Sequence, residues 1–229
     1  MKKKNIVVLS GAGISAESGI PTFRDANGLW EGHDVMEVAS IEGWRRNPSL
    51  VQEFYNLRRR AASLAQANVA HLALAKLEFK YNVVVITQNV DLLHEQAGSS
   101  QVIHLHGRLD QARSSVDDRL VYPIAGDEIK MGDLCEKGSQ LRPNIVWFGE
   151  AVPAIEEAVI VVSEADILII VGTSLQVYPA AGLKEFAPNH CKTFLIDKKI
   201  PNNKFLRNIT FFEEAATVAV PKLVEQLLD

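Results

Sequence analysis

The chain contains a glycine turn that directly follows a short apolar run. Asn5 to Leu9 has the β-branched composition of a buried parallel strand, and Gly11 and Gly13 then precede Ser15, which can cap a helix. Glycines let the main chain approach a pyrophosphate closely, and a helix N-terminus adds partial positive charge. We expect free backbone amides here that could bind a dinucleotide, although Gly-x-Gly after a strand also occurs as a plain tight turn.

A second group of polar residues follows the apolar run Asn82 to Thr87. Gln88, Asn89 and Asp91 stand where this predicted strand ends and a helix begins. Open α/β sheets bind their ligands at this edge, so the three side chains are candidate ligand contacts. Asn89 or Asp91 could instead only cap the helix.

Two histidines, His104 and His106, follow a third apolar stretch. If the segment is extended, they point to opposite faces, so only one of them can face a site. A histidine suits a general base because its reference pKa of about 6.5 leaves the ring mostly neutral near pH 7.

Alternating strand-like and helix-like stretches must position these groups. Helical spacing runs through residues 35–80, helices are also predicted at 151–165 and 217–228, and further strands are predicted at 166–172, 193–196 and 209–212. The alternation predicts an α/β fold, a Rossmann-like doubly wound parallel sheet with a second, smaller inserted domain. The predicted Rossmann-like domain comprises residues 1–31, 76–107 and 143–229, and the predicted small domain comprises residues 32–75 and 108–142.

Five blocks of the sequence together resemble the sirtuins, the NAD-dependent protein deacylases. In the order of that family, they are Gly11 to Arg24, Thr87 to His94, Leu105 to Gly107, Arg142 to Glu150 and Gly172 to Ser174. The resemblance covers nearly the whole chain. It implies that NAD is a consumed co-substrate and that the partners are acylated lysine side chains of proteins or peptides.

The resemblance also implies which residues bind NAD. Asn89 and Asp91 would position the nicotinamide and its ribose, Gln88 would contact a ribose hydroxyl, and Phe23 would shield the reacting carbon from water. The other implied NAD contacts are Gly11, Ala12, Gly13, Ser15, Arg24, Gly172, Thr173 and Ser174. Asp197 ends a predicted strand and could meet the adenosine ribose, although relatives usually have Ile-Asn near this place.

In an enzyme that resembles the sirtuins, the acyl oxygen of the modified lysine attacks the anomeric carbon of the nicotinamide ribose, and nicotinamide leaves. His106 would then act as general base on a ribose hydroxyl, so that O-acyl-ADP-ribose and free lysine are released. The implied catalytic set is His106, Asn89 and Asp91, and His104 is expected to be structural.

Residues 145–149 are predicted to form a strand with a free edge, which could pair with an extended peptide. This substrate strand would bind the peptide through Val146, Trp147, Phe148, Gly149 and Glu150.

Residues 108–141 depart from the sirtuin pattern. Most sirtuins have two Cys-x-x-Cys pairs here, which hold a structural zinc, whereas this stretch contains Cys135 alone. Neither His106 nor Asp117 and Asp118 restores a tetrahedral site. We therefore expect no zinc and no other metal, and a small module held by apolar side chains, namely Leu120, Val121, Tyr122, Ile124 and Leu134.

Tyr55 and Arg58 stand three residues apart, so they share one face of the predicted helix. They could be a tyrosine that packs inward beside a solvated arginine. Tyr-x-x-Arg at this place, however, resembles the class III sirtuins, in which both side chains bind a distal carboxylate of the acyl group. Ala16 fits that class because a small side chain leaves room in the pocket. The resemblance thus implies succinyl or malonyl removal with weaker deacetylase activity.

Composition and charge argue against several other classes of function. The chain has 229 residues, is 47% hydrophobic, and has a net charge of −4 and a pI near 5.9, which argues against nucleic-acid binding. No segment reaches transmembrane length, and the two cysteines suit a reducing cytosol. We expect a cytoplasmic protein with no membrane or nucleic-acid partner, and a monomer. A plain deacetylase, a mono-ADP-ribosyltransferase and a non-catalytic NAD-sensing module remain the alternatives.

Overall fold

The computed structural model of the chain describes residues 3–22, 29–124, 126–200 and 209–229. Within these ranges the strands are β1 (Asn5–Ser10), β2 (Leu29–Trp30), β3 (His33–Asp34), β4 (Asn82–Thr87), β5 (Val102–His104), β6 (Gly107–Ser114), β7 (Val121–Pro123), β8 (Leu141–Ile145), β9 (Ile167–Val171), β10 (Lys192–Ile196) and β11 (Ile209–Phe212). The α-helices there are α1 (Val35–Val38), α2 (Ile41–Arg46), α3 (Pro48–Leu64), α4 (Val69–Lys76), α5 (Leu93–Gln96), α6 (Ile155–Ser163) and α7 (Ala216–Leu228). Short 3-10 turns are Ala12–Ile14, Ala16–Ser18, Leu77–Phe79 and Ala180–Phe186. Within the described ranges, no helix is long and apolar enough to cross a membrane.

Six parallel strands form the main sheet, in the order β11-β10-β9-β1-β4-β5. Its strands are apolar because helices cover both faces of a parallel sheet. In β1, Ile6 and Val8 belong to the core formed with α4 and α7, whereas Val7 and Leu9 belong to the core formed with α6. This alternation confirms the predicted Rossmann-like doubly wound sheet.

The strand order reverses at the centre of this sheet, between β1 and β9. Ser10 at the end of β1 is in register with Val171 at the end of β9, and a glycine follows each of them, Gly11 and Gly172. Doubly wound sheets bind ligands at the carboxyl ends of the strands on either side of such a reversal. The fold therefore puts the glycine turn of the sequence at the expected ligand crevice.

The chain divides into two compact units. The larger comprises Met1–Thr22, Gln66–Leu105 and Val152–Asp229, and the smaller comprises Phe23–Ala65 and His106–Ala151. Four segments fall in the opposite unit from the sequence prediction, namely residues 23–31, 66–75, 106–107 and 143–151. Residues 66–75 lie in the larger unit because α4 buries Ala70 and Leu74 in the core of the sheet, and residues 143–151 lie in the smaller unit because β8 pairs with β6.

The smaller unit combines α1, α2 and α3 with the antiparallel sheet β7-β6-β8. Apolar packing was expected to hold residues 108–141, but Val121 and Leu134 are exposed. Polar side chains of α3 hold this segment instead, since Gln52 and Asn56 both donate to the carbonyl of Ile129 at 3.0 Å. The apolar prediction therefore fails at Val121 and Leu134, whereas the buried apolar side chains of this segment are Leu109, Ala112 and Ile129.

A third side chain of α3 completes this contact. The guanidinium of Arg59 is buried and donates to the carbonyl of Leu109 at 2.6 Å and to the side-chain oxygen of Asn56 at 2.7 Å. The same oxygen of Asn56 accepts the N–H of Ile129 at 3.0 Å. We call Gln52, Asn56 and Arg59 the α3 anchor. They lie at spacings of four and three residues, which places them on one helix face.

Candidate active site

The glycines of the first turn allow two loops to touch. The N–H of Gly11 donates to the carbonyl of Val171 at 3.0 Å, and the N–H of Gly13 donates to the carbonyl of Gly172 at 2.8 Å. A Cβ atom at Gly13 would lie 2.6 Å from the Cα of Gly172, so a side chain has no room there. The expectation of free amides at these two glycines was therefore wrong, because their N–H groups join β1 to β9.

Other backbone donors remain at the same edge. Within the described residues, the N–H groups of Ala12, Thr173 and Ser174 donate to no carbonyl or side chain. Thr173 also accepts a hydrogen bond from the Nε2 of Gln88 at 3.0 Å. These N–H groups can bind phosphate oxygens, whereas the predicted helix after Ser15 is replaced by the single 3-10 turn Ala16–Ser18, which offers no full helix dipole.

Ser15 does not cap a helix. Its buried hydroxyl donates to the carboxylate of Asp91 at 3.1 Å and accepts from the amide of Asn89 at 3.0 Å. Asp91 also accepts the N–H of Leu93, the first residue of α5, at 3.1 Å, although the N-cap position of that helix is Leu92. Burial raises the pKa of Asp91. The sequence prediction that these residues meet at one edge is consistent with these contacts.

A chain of hydroxyl groups supports this cluster from within the sheet. The backbone N–H of Asn89 donates to the hydroxyl of Thr87 at 3.0 Å, and the hydroxyl of Ser10 donates to the same oxygen at 2.8 Å. The Nε2 of His94 lies 2.9 Å from the Ser10 oxygen. Sequence reasoning missed Ser10, Thr87 and His94, although polar residues at the ends of two buried strands were a usable signal.

His94 packs against His71, with ring centroids 4.9 Å apart, and both rings are buried. The backbone N–H of Asn68 donates to the Nδ1 of His71. Burial lowers the pKa of His71 to about 4 and that of His94 to about 3. Both rings are therefore neutral near pH 7, which is the form that a buried site without a counter-charge favours.

Another predicted NAD contact, Asp197, lies at the end of a different strand. Asp197 follows β10 and is buried, and its carboxylate accepts the N–H of Lys199 at 3.1 Å. Its placement at the carboxyl end of a strand agrees with the expected ribose contact, which stays a prediction. Phe23 and Arg24 lie outside the described residues.

The larger unit fits NAD on its own residues. The three N–H groups named above can donate to phosphate oxygens, and the turn is lined by glycines, so no Cβ fills it. Asn89, Asp91 and Gln88 supply polar side chains that suit ribose and amide groups. A dinucleotide requires this combination of backbone donors and polar side chains.

The smaller unit brings Tyr55 and Arg58 into an aromatic environment. Tyr55 is 1% exposed, and its burial raises its pKa to about 12. The side chain of Arg58 is 10% exposed, and its guanidinium lies 4.0 Å from the ring centroid of Trp30. Glu31 approaches it only to 3.9 Å. Arg58 is therefore not the solvated arginine that the alternative interpretation required.

Residues 146–150 form a turn and not the predicted strand. The N–H of Val146 donates to the carbonyl of His106 at 2.9 Å, that of Trp147 to the carboxylate of Glu150 at 2.9 Å, and that of Phe148 to the carbonyl of Ala39 at 2.9 Å. Gly149, with φ of +88°, turns the chain. The prediction of a free strand edge was wrong, because the N–H groups of Val146 and Phe148 donate to other segments of the smaller unit and that of Trp147 donates within the turn.

Glu150 is held by two arginines. Its carboxylate accepts from Arg113 at 2.9 Å and from Arg142 at 2.7 Å, and all three side chains are largely buried. Glu150 therefore stabilises the turn. Arg142 also lies 3.4 Å from the ring centroid of Trp147, which fixes that indole. The indole N–H of Trp147 is buried and interacts with the phenol of Tyr55, but within the described residues it makes no hydrogen bond of normal geometry.

His104 and His106 do not share one extended segment. His104 ends β5, whereas His106 lies in the turn before β6 with its ring partly exposed. Ala16 lies in the 3-10 turn Ala16–Ser18 and is half-buried. The expected base thus belongs to the smaller unit, while Asn89 and Asp91 belong to the larger one.

The region of the absent cysteine pairs is closed by hydrogen bonds. The Sγ of Cys135 lies 3.3 Å from the hydroxyl of Ser114 and 3.2 Å from that of Ser139. These hydroxyls lower the pKa of Cys135 to about 6. Across the described residues, no three His, Cys, Asp or Glu side chains are placed to hold a metal ion.

Comparison with known proteins agrees with this arrangement. The Sir2 family profile matches residues 11–179. An NAD-dependent protein deacylase of Helicobacter pylori is 55% identical over 99% of this chain and 98% of its own length, and one of Bacteroides thetaiotaomicron is 51% identical over 98% of both chains. The structure of a Sir2 homologue in complex with ADP-ribose has a TM-score of 0.89 and 36% identity over 99% of this chain and 92% of that one. The chain belongs to the Sir2 family.

Proposed function

We propose that this member of the Sir2 family is an NAD-dependent protein-lysine deacylase that prefers acyl groups ending in a carboxylate, such as succinyl and malonyl. The enzyme class is shared with relatives more than half identical over nearly the whole chain. The acyl preference is the finer part of the proposal. It is carried by one observation, the buried guanidinium of Arg58 beside the buried phenol of Tyr55.

The roles of the remaining site residues follow from chemistry and placement. Asn89 and Asp91 hold the nicotinamide and its ribose; Ser15 orients both side chains, and Thr87 accepts the backbone N–H of Asn89. When NAD is bound, it supplies the ribose carbon that accepts the acyl oxygen. His106 removes the proton of a ribose hydroxyl, for which a partly exposed imidazole in a turn is suited.

The partner in this proposal is an acylated lysine within a protein or peptide. The solved Sir2 structure bound to acetylated peptide has a TM-score of 0.80 and 30% identity over 98% of this chain. We place the peptide along residues 146–150, where the N–H of Gly149 has no acceptor in the described part of the chain. Val146, Trp147 and Phe148 supply the surrounding side chains.

Arg58 supports an acidic acyl group on energetic grounds. The side chain of Arg58 is 10% exposed, so water screens its charge little and a direct bond to an acyl carboxylate is stronger there than at an exposed arginine. The distal carboxylate of a succinyl chain can bind a guanidinium bidentately, which acetyl cannot do. A charge-assisted hydrogen bond contributes about 1.5 to 3 kcal/mol, or roughly ten- to a hundredfold in selectivity.

The phenol of Tyr55 and the indole of Trp147 lie together in the smaller unit. Their ring centroids are 6.0 Å apart, and the buried N–H of Trp147 interacts with the phenol of Tyr55. An acyl carboxylate would offer oxygens to both the phenol and the indole, whereas the methyl of an acetyl group offers none.

The experiment compares kcat/KM on matched acetyl and succinyl peptides. Arg58→Met keeps the length of the side chain but removes its charge, and we expect the succinyl-to-acetyl ratio to fall at least about tenfold. Arg60→Met is the matched control, since Arg60 lies on the same helix but is more exposed and pairs with Glu53. The control should leave the ratio unchanged.

The outcomes separate the two levels of the proposal. If the wild type prefers acetyl, or if Arg58→Met leaves the ratio unchanged, the acidic preference is wrong while deacylation stands. If neither peptide is deacylated in the presence of NAD, and ADP-ribose appears on a protein acceptor instead, the enzyme is a transferase of another kind.

A further inference from the structure

His104 makes two contacts that the family resemblance leaves unexplained. It ends β5, next to Thr87 at the end of β4, and its side chain is 6% exposed. The Nδ1 atom lies 3.1 Å from the carbonyl oxygen of Asn89, and the Nε2 atom lies 2.7 Å from the carboxylate of Glu95. The ring is thereby fixed at both nitrogens.

The first of these contacts has a definite direction. A peptide carbonyl can only accept a hydrogen bond, so the Nδ1 of His104 donates its proton to the oxygen of Asn89. Glu95, on α5, orients the ring from the other side through Nε2. The carboxylate therefore aims the Nδ1 donor at one backbone oxygen.

That oxygen belongs to the loop between β4 and α5, which presents both Asn89 and Asp91. Within the described residues, no other group donates to the carbonyl of Asn89. The side chains of Asn89 and Asp91 are held separately, by Ser15, and the hydroxyl of Thr87 accepts the backbone N–H of Asn89, which belongs to the preceding peptide plane. His104 is thus the group that fixes the peptide plane after Asn89.

We propose that His104 is a positioning residue for NAD binding, because it orients the main chain of the loop that carries Asn89 and Asp91. The proposal rests on the proposed assignment of those two residues to NAD. A rotated peptide plane would move both side chains from their bonds with Ser15, and NAD would have to reorder the loop on binding. The Glu95 carboxylate assists by holding the imidazole.

Two substitutions separate the contacts of His104. The amide nitrogen of Asn stands as many bonds from Cα as Nδ1 does, so His104→Asn keeps a donor for the carbonyl of Asn89. The amide nitrogen of Gln corresponds to Nε2, so His104→Gln keeps a donor for Glu95 only. Calorimetry gives the Kd for NAD without an acyl peptide, and thermal unfolding of each variant shows whether it is folded.

We expect His104→Asn to bind NAD within about twofold of the wild type, and His104→Gln to bind about three- to tenfold more weakly, the scale of one neutral hydrogen bond. The KM for NAD should follow the same order, with kcat changed less. A merely structural role would lower the melting temperature of both variants and leave the order of Kd values unrelated to the donor that is kept.

Equal Kd values for the two variants, whether normal or raised, overturn the proposal. If both variants unfold, Glu95→Ala gives the decision, since this half-exposed side chain can be removed without a core defect. It should raise the Kd for NAD at least about twofold, and an unchanged Kd overturns the proposal. Asn89→Ala is the reference. If it binds NAD normally, the assignment of Asn89 to NAD fails, and not merely the role of His104.

Discussion

At the scale of single residues, the expected base and the expected NAD contacts can be tested apart. His106 lies in the turn before β6, in the smaller unit, and Asn89 and Asp91 lie in the larger. Substituting the base should therefore leave the NAD contacts intact, and substituting the contacts should leave the turn intact.

We expect His106→Ala to fold, to bind NAD with unchanged Kd, and to deacylate at least about a hundredfold more slowly, the scale of a lost general base. Because the base acts after nicotinamide has left, exchange of labelled nicotinamide into NAD should persist in the variant. His190→Gln, at an exposed histidine, is the control. Near-normal turnover by His106→Ala would remove His106 from this role.

The buried pair His71 and His94 makes folding sensitive to acid. Their pKa values, about 4 and about 3, lie below the value of about 6.5 expected in the unfolded chain, so unfolding takes up protons below pH 6.5. The free energy of unfolding should be highest above pH 6.5. It should fall toward pH 4, by up to about 1.4 kcal/mol per pH unit for each histidine.

His94→Gln keeps a donor for the oxygen of Ser10 and removes one titrating ring, so urea unfolding at several pH values should show a shallower loss between pH 6.5 and 4. The control is again His190→Gln, for which the slope should not change. An acid slope that is the same in His94→Gln and the wild type would show that the pair does not cause it.

At the scale of elements, α3 stabilises the smaller unit through polar contacts. Asn56 accepts the N–H of Ile129 and donates to its carbonyl, and it also accepts from Arg59. The Asn56→Ala variant would leave buried donors without acceptors. We expect it to lower the free energy of unfolding by about 2 to 4 kcal/mol, measured by urea titration.

Glu53→Ala is the matched control on the same helix, because its side chain is exposed. It should change the free energy of unfolding by less than about 0.5 kcal/mol. If Asn56→Ala is as stable as this control, the α3 anchor does not hold the segment around Ile129.

The sequence predicted elements better than it predicted contacts. Strands such as Ile209–Phe212 were found because their period and burial are local properties. The prediction that the amides of Gly11 and Gly13 are free was wrong. A local pattern cannot show that another segment, Val171 and Gly172, accepts hydrogen bonds from the same N–H groups. The role of Ser15 differed for the same reason, because its partners are Asn89 and Asp91, more than seventy residues away.

The turn at residues 146–150 shows a second limit. Ile145 to Gly149 has strand-like composition, but Glu150 accepts the N–H of Trp147 and Gly149 adopts a positive φ. Arg113 and Arg142, which fix that carboxylate, come from separate strands of the small sheet. Long-range ion pairs of this kind override local strand preference and leave no periodic signal.

At the scale of the whole molecule, the sequence without cysteine pairs predicts an enzyme that needs no structural metal. The purified protein should contain no stoichiometric zinc, and a chelator should leave its Tm unchanged, because hydrogen bonds among Ser114, Cys135 and Ser139 occupy the interior of that segment. Metal analysis by mass spectrometry and thermal unfolding check this. About one zinc per chain would contradict it.

Two sets of side chains alternate along α3: the α3 anchor, and the pair Tyr55 and Arg58, which we propose selects the acyl group. Gln52, Asn56 and Arg59 face the small sheet, and Tyr55 and Arg58 lie about a quarter of a turn around the same helix. Substitution within the pair leaves the anchor untouched. If this pair selects the acyl group as proposed, a substitution at Arg58 can change the acyl group recognised while the polar contacts of the α3 anchor stay in place, so related enzymes with different acyl preferences need not differ in fold.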